Sequence, residues 1–231
     1  FMVRDHLVPD ADCEGPAYSR LSAALSLDIS AGRFDSSDRL KVRNLARLYG
    51  VSPSPVREAL QVLHGKGLVE MDANKGARIR RLNSAQVDQA CQVNQALESL
   101  AARVLAETAS EHQIDVLREI DERHQAAFRS GDIDAMSAAG CEFHFQIYRF
   151  NRNDFVLQSA IVHSTLAHCS RREVGYSDSR LRALCPEHTA ILDAIADRDP
   201  ERAGRLAFEH ARSCTDDLVD RISSAELAKP R

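Results

Sequence analysis

Apolar residues recur at helical spacing in two short runs separated by a glycine corner. Val42, Leu45, Ala46 and Leu48 or Tyr49 repeat over residues 42–49, and Val56, Leu60 and Leu63 repeat over 52–64. Ser52 is suited to cap the second run, and Pro53 at the first helical position gives up an N–H that would be unpaired in any case. Gly50-Val51 makes the corner, so the pair predicts a helix-turn-helix. Upstream, Leu21, Ala24 or Leu25, and Ile29 predict a first helix over 16–29, closed by Ala31-Gly32, which packs the core of a three-helix unit. Residues 33–41 read as a loop. Downstream of Gly65 and Gly67, the runs Leu68-Val69-Glu70-Met71 and Ala77-Arg78-Ile79-Arg80 flank a turn at Asp72-Ala73-Asn74-Lys75-Gly76. They predict a β-hairpin, which makes the module winged.

From Asn83 onward there is no strand signal. Asn83-x-x-Gln86 and Ser110-x-x-Gln113 have capping-box spacing, Gly131-Asp132 and Asn153 punctuate, and Asp199-Pro200 is an N-cap followed by a helix-compatible proline. These signals predict helices near 84–109, 111–129, 132–151, 154–173, 179–198 and 200–223. Six such helices with short connections make an antiparallel bundle. The expected fold class is therefore mainly α, with an N-terminal winged helix-turn-helix and a C-terminal all-helical antiparallel bundle. The expected domains are a flexible lead-in over 1–15, the winged unit over 16–81 and the bundle over 82–231.

Charge changes this picture from fold to partner. Residues 39–81 carry ten basic groups against three acidic, a local balance of +7 in a chain whose net charge is -4. That excess is an electrostatic footprint for phosphate. Residues 1–81 balance at +3 and residues 82–231 at -7, which fits a DNA reader attached to an acidic regulatory body. At 231 residues the chain can bury two modest cores, and its 44% hydrophobic content is that of an ordinary globular protein. The six cysteines form no C-x-x-C pair, and nothing resembles a signal peptide or a membrane-spanning run. The expectation is a cytoplasmic, nucleoid-associated protein with reduced thiols and no membrane partner. Phe1 ahead of Met2 reads as a residue left over from expression.

The run Leu40-Lys41-Val42-Arg43-Asn44-Leu45-Ala46, followed by Val51 to Leu60, Gly67-Leu68-Val69 and Gly76-Ala77, resembles the GntR family of bacterial transcription regulators. The bundle resembles the FCD ligand-binding domain of that family's FadR branch. Ala96 to Arg103, Glu142-Phe143-His144, Asn153, Glu187-His188-x-x-Ile191-Leu192-x-Ala194-Ile195 and His210 carry that likeness. The resemblance implies a homodimer on a near-palindromic double-stranded operator, with repression relieved by a small effector, typically an organic or sugar acid. The helix beginning at Ser52 would enter the major groove with Arg57, Ser52 and Ser54 at its reading end. Arg43 matches a family position that touches DNA, and Gly76 would admit the backbone to the minor groove with Lys75 beside it. Where the family commonly has an arginine after the capping residue, this chain has Pro53. A bidentate arginine–guanine contact is worth about 1–3 kcal/mol of discrimination, so its loss implies a different or less stringent operator.

Within the bundle, His144, His188 and His210 each lie on an apolar stripe of a different helix. One such imidazole is ordinarily a satisfied core residue, but burying three is costly unless they share a partner. In the resembling domain the matching histidines bind a divalent ion together with an aspartate four residues before the first, and here that position is Gly140. The expectation is a divalent metal of the zinc or nickel kind. Cys141, one turn from His144, either takes the vacant place and favours zinc or packs as a small apolar residue. Asn94 interrupts the apolar stripe Val87, Cys91, Leu97, Ala101, Val104, so it joins Cys141 as a candidate effector contact. The family's effector-pairing arginine near Asn94 is lacking, and Arg171 and Arg172 are the compensating cations or serve the helix dipole.

Two rival readings follow from the same residues. A bundle that only dimerises, with core histidines, would make the chain a ligand-independent DNA-binding dimer. Three histidines with an open metal position could also activate water, but no acidic residue stands as an obvious general base, so the expectation is no enzyme.

Overall fold

The computed structural model describes residues 16–30, 33–34, 37–72 and 76–228. The expected lead-in over 1–15, the helix end at Ala31-Gly32 and the hairpin tip with Lys75 lie outside the described residues. The chain divides into two compact units between Arg81 and Leu82.

The first unit holds α1 (Ala17–Ser30), β1 (Arg39–Leu40), α2 (Val42–Tyr49), α3 (Pro53–Gly65), β2 (Val69–Asp72) and β3 (Gly76–Ile79). Leu21, Leu25 and Ile29 of α1 are buried with Leu45, Val56, Leu60, Leu63 and Leu68. Gly50 closes α2 in the left-handed conformation, φ 67°, where a side chain would be strained. The sheet has the order β1-β3-β2 and is antiparallel throughout. The expected loop over 33–41 thus contains a strand. Its two residues are too short to show alternation, and they form because β3 offers a free edge, Arg39 facing Arg78 and Leu40 facing Ala77.

Ser52 takes the N-cap position of α3 with Pro53 inside the first turn, yet its hydroxyl accepts no capping bond. A capping side chain accepts from the second or third helical N–H, and Pro55 at the third position has none, so only the Ser54 N–H remains for it. Leu48 is exposed, whereas Tyr49 turns back and its hydroxyl donates to Asp28 of α1.

The second unit holds α4 (Ser84–Thr108), α5 (Glu111–Ser130), α6 (Ile133–Phe150), α7 (Asp154–Val174), α8 (Asp178–Ala196) and α9 (Pro200–Leu227). Both capping boxes form, at Asn83 with Gln86 and at Ser110 with Gln113. Asp132, Asn153 and Asp199 also cap as their side chains allow. Five of the six helices agree with the spacing-based bounds to within two residues, while α9 runs four residues past the expected end because no glycine or proline stops it before Lys229-Pro230.

Helices α4 and α9 cross closely through small residues, Ala101 and Ala102 against Ala203, Gly204 and Ala207. A Cβ on Gly204 would collide with Arg103 Cγ and approach Ser99 O to 3.2 Å, so only glycine permits this crossing. The core continues through Leu105, Ile114, Leu117, Ile120, Phe143, Ile147, Ile191 and Ile195. Among the described residues, no helix is long and apolar enough to cross a membrane.

Candidate metal centre and nucleic-acid interface

Helical spacing on α6, α8 and α9 turns three imidazoles inward to one point. The Nε2 of His210 lies 3.3 Å from His188 Nε2 and 3.2 Å from His144 Nε2. All three donor atoms are within 4.8 Å of one another. His188 and His210 are buried, and His144 is partly so. Two nitrogens bound at about 2.0–2.1 Å to one tetrahedral ion would stand about 3.4 Å apart, so this spacing suits a shared cation.

Two carboxylates stand behind the ring nitrogens that face away. Glu187 Oε2 lies 2.7 Å from His210 Nδ1 and also accepts from the buried guanidinium of Arg180. Glu98 Oε2 lies 3.4 Å from His144 Nδ1 without a hydrogen bond of its own. A carboxylate at Nδ1 holds the proton there and aims the Nε2 lone pair at the centre. Burial raises the Glu187 carboxyl, but bonds from His210 and Arg180 outweigh it and hold it below its usual range. Burial, and next the His210 charge, push His188 well below the ordinary imidazole range. Burial also lowers His144, against the pull of Glu98. His144 and His188 are therefore neutral and available as ligands near pH 7, whereas at His210 burial is outweighed by Cys214 and Glu187, which raise it to about 10, so an ion must displace the proton on its Nε2.

Gly140 presents no donor to this centre. A Cβ there would stand 3.4 Å from His188 Cε1 and 3.6 Å from His124 Nε2, so the space beside it belongs to the buried His124. His124 stacks on His188 with ring centroids 4.6 Å apart, and Phe143 stacks on the other face at 4.7 Å. Cys141 does not point to the imidazole centre, for its sulfur meets His168 Nδ1 at 3.0 Å. Burial pushes that thiol up to about 12, leaving it neutral. Asn94 is buried and donates to Glu98 Oε1 at 2.6 Å while accepting from the Tyr148 hydroxyl at 3.2 Å. It therefore serves the carboxylate behind His144. Arg171 is committed to Asp217, Gly175 O and Cys214 O and stacks on Tyr176.

Arg180 and His124 were not singled out from the sequence, and Glu98 and Glu187 entered only as part of the FCD likeness, with no role at the site. His124 follows Leu117, Ile120 and Asp121 on the inner face of its helix, a periodicity that could have revealed it. The others become visible only when helices are set side by side.

In the first unit a groove is lined by Arg39, Lys41, Val42, Arg43, Arg57, Met71, Asp72 and Gly76. It brings together three of the sequence candidates: Arg43, Arg57 and Gly76. Arg43 and Arg57 are exposed and neither pairs with another described residue. Asp72 instead takes Arg39 at 3.6 Å and Arg78 at 3.2 Å. Ser52 is exposed at the start of α3, and Ser54 Oγ is occupied by Glu58 Oε1 at 3.1 Å. Gly76 has φ 101°, and a Cβ on it would overlap Leu40 O. Its glycine is thus required by the approach of β1, whatever reaches it from outside.

A winged helix-turn-helix carrying unpaired arginines, in one chain with a helical bundle that encloses a polar centre, defines the class of DNA-binding regulators with a sensory domain. Residues 17–79 match the bacterial regulatory proteins of the gntR family, and residues 89–213 match the FCD domain. The chain belongs to the GntR family of transcription regulators and carries an FCD effector-binding domain, and it is a regulator rather than an enzyme. It is 27% identical over 197 residues to the "Uncharacterized HTH-type transcriptional regulator YdhC" of Bacillus subtilis, covering 84% of this chain and 88% of that protein. It is 28% identical over 197 residues to the "Probable D-xylose utilization operon transcriptional repressor" of Paenarthrobacter nicotinovorans, covering 83% and 84%. The solved structure of E. coli McbR/YncC has the same fold, with a TM-score of 0.77 at 20% identity over 89% of this chain and 98% of that one.

Proposed function

We propose that this regulator works as a cytoplasmic homodimer whose operator affinity is set by a carboxylate-bearing metabolite bound at a divalent metal in the bundle. The observation that carries the reading is the convergence of the Nε2 atoms of His144, His188 and His210 on one point, with Glu187 behind His210. These three residues would hold the ion, which would supply a Lewis-acidic anchor for an organic or sugar acid. Arg43, Ser52, Ser54, Arg57, Lys75 and Gly76 are the proposed DNA contacts, with residues 16–81 acting as reader and 82–231 as effector and dimerisation domain. Support for pairing comes from Val93 and Leu100, large apolar residues two turns apart on α4 that remain 44% exposed. A dimer supplies the two readers that a palindromic site requires. Repression is supported by the name of the Paenarthrobacter relative, a probable operon repressor, and its relief by the effector is part of this reading.

Elemental analysis of the chelator-free protein beside the His188→Ala variant tests the metal. About one ion per chain, absent from the variant, is expected. Equal metal content in both proteins would rule the centre out, and a metal-free wild type would favour a bundle that serves only to dimerise.

A further inference from the structure

Three imidazoles leave a tetrahedral ion one ligand short. The helix that contributes His210 also carries Cys214 one turn later, and residues four apart on a helix lie over the same face. The Cys214 sulfur stands 3.7 Å from His210 Nε2, the same nitrogen that His144 and His188 approach at 3.2 and 3.3 Å. One atom is therefore the hub for three others. For a tetrahedral ion at about 2.0–2.1 Å from nitrogen and about 2.3 Å from sulfur, nitrogen and sulfur stand about 3.6 Å apart, close to the spacing found.

We propose that Cys214 is the fourth protein ligand, so that the centre is a three-histidine, one-cysteine site selective for Zn2+ and ions of similar softness. The inference rests on the metal reading of the three histidines. No other thiol described near this centre is placed for the role: Cys141 is turned to His168 at 3.0 Å and Cys185 to His124 Nδ1 at 3.5 Å. The sulfur itself stays within the close set around His210 alone, since the mutual 4.8 Å grouping contains only the three imidazoles. Closing the set requires the Cys214 side chain to turn about its single torsion. The turn of α9 that carries it is anchored, because Arg171 donates to Cys214 O at 2.7 Å. As the sulfur–metal bond forms, the S–H proton passes to solvent and no atom changes oxidation state. A thiolate in the set shifts selectivity from ions preferring oxygen, such as Mn2+, towards Zn2+.

Cobalt(II) titration of the metal-free full-length protein reads the ligand directly. Wild type should develop an intense near-ultraviolet sulfur-to-cobalt charge-transfer band along with visible tetrahedral bands. Cys214→Ser should lose the charge-transfer band and bind cobalt at least about tenfold more weakly, while Cys141→Ser should retain both. Far-ultraviolet circular dichroism reports whether each variant is folded, and the wild-type spectrum stands without any variant. Cobalt bound by wild type without a thiolate band would overturn the role of Cys214 and leave the three-histidine site intact. A thiolate band that survives Cys214→Ser would overturn it equally. Failure of wild type to bind cobalt at all would overturn the site itself.

Discussion

His210 Nδ1 and Glu187 Oε2 meet at 2.7 Å between α9 and α8, and Glu187 is the immediate neighbour of the His188 imidazole that approaches His210 from its other edge. One short sequence, Glu187-His188, therefore supplies both a donor to the centre and the carboxylate that orients a second donor. Glu187→Gln keeps the volume and removes the charge. Metal affinity is expected to fall about tenfold to a hundredfold, measured by competition with a chromophoric chelator. Because Arg180 would then be a buried cation without its counter-charge, thermal stability should fall as well. Unchanged affinity would show that Glu187 does not act on the centre.

Stability should also decline in mild acid through His168. Burial, and then Arg172 and Arg171, depress its imidazole to about 4. The unfolded chain takes up this proton below about 6.5 while the folded chain does not. The sign is thus a loss of stability as pH falls from about 6.5 towards 4, levelling below that, with a limit on the order of 3 kcal/mol. Urea unfolding of the metal-free protein across that range checks it, and His168→Gln should flatten part of the slope.

Arg57→Ala and Arg43→Ala each remove an unpaired cation from the groove of the reader. Each should weaken operator binding about tenfold or more at moderate salt. If the contact is to phosphate, the slope of log affinity against log salt should shrink by about one per residue. Fluorescence anisotropy on an operator fragment at several salt concentrations separates the two cases.

Gly76→Ala should cost the reader its wing even in the absence of DNA. The new Cβ would overlap Leu40 O in a conformation with φ 101° that already costs a side chain about 1–2 kcal/mol. Weakened β1–β3 pairing should appear as faster amide exchange at Ala77 and Arg78. Protection equal to wild type would sink this account.

Most of the helical framework is legible in the sequence because helix starts and stops depend on a few local groups. Asn83, Ser110, Asp132, Asn153 and Asp199 all cap as their spacing indicates. β1 is not legible, since two residues hold their shape only through β3. The three histidines can be placed on inner faces by period alone, which is why their convergence is readable. The thiols show where period stops. Cys141 and Cys214 each lie within one turn of a candidate ligand, and only the rotation of α6 against α7 turns Cys141 towards His168. Glu187 and Arg180 are charged residues at ordinary helical positions, and their pairing with His210 depends on the register between α8 and α9.

Pro53 and Pro55 in the first turn of α3 carry one last consequence. Each fixes its own φ before any partner arrives, so the free chain has already surrendered much of the backbone freedom that a flexible helix start would lose on meeting DNA. The same pair leaves the Ser54 N–H as the sole main-chain donor among the first three helical positions. The proposed reading end thus combines a preorganised backbone with few main-chain donors, so that operator choice there would rest mainly on side chains.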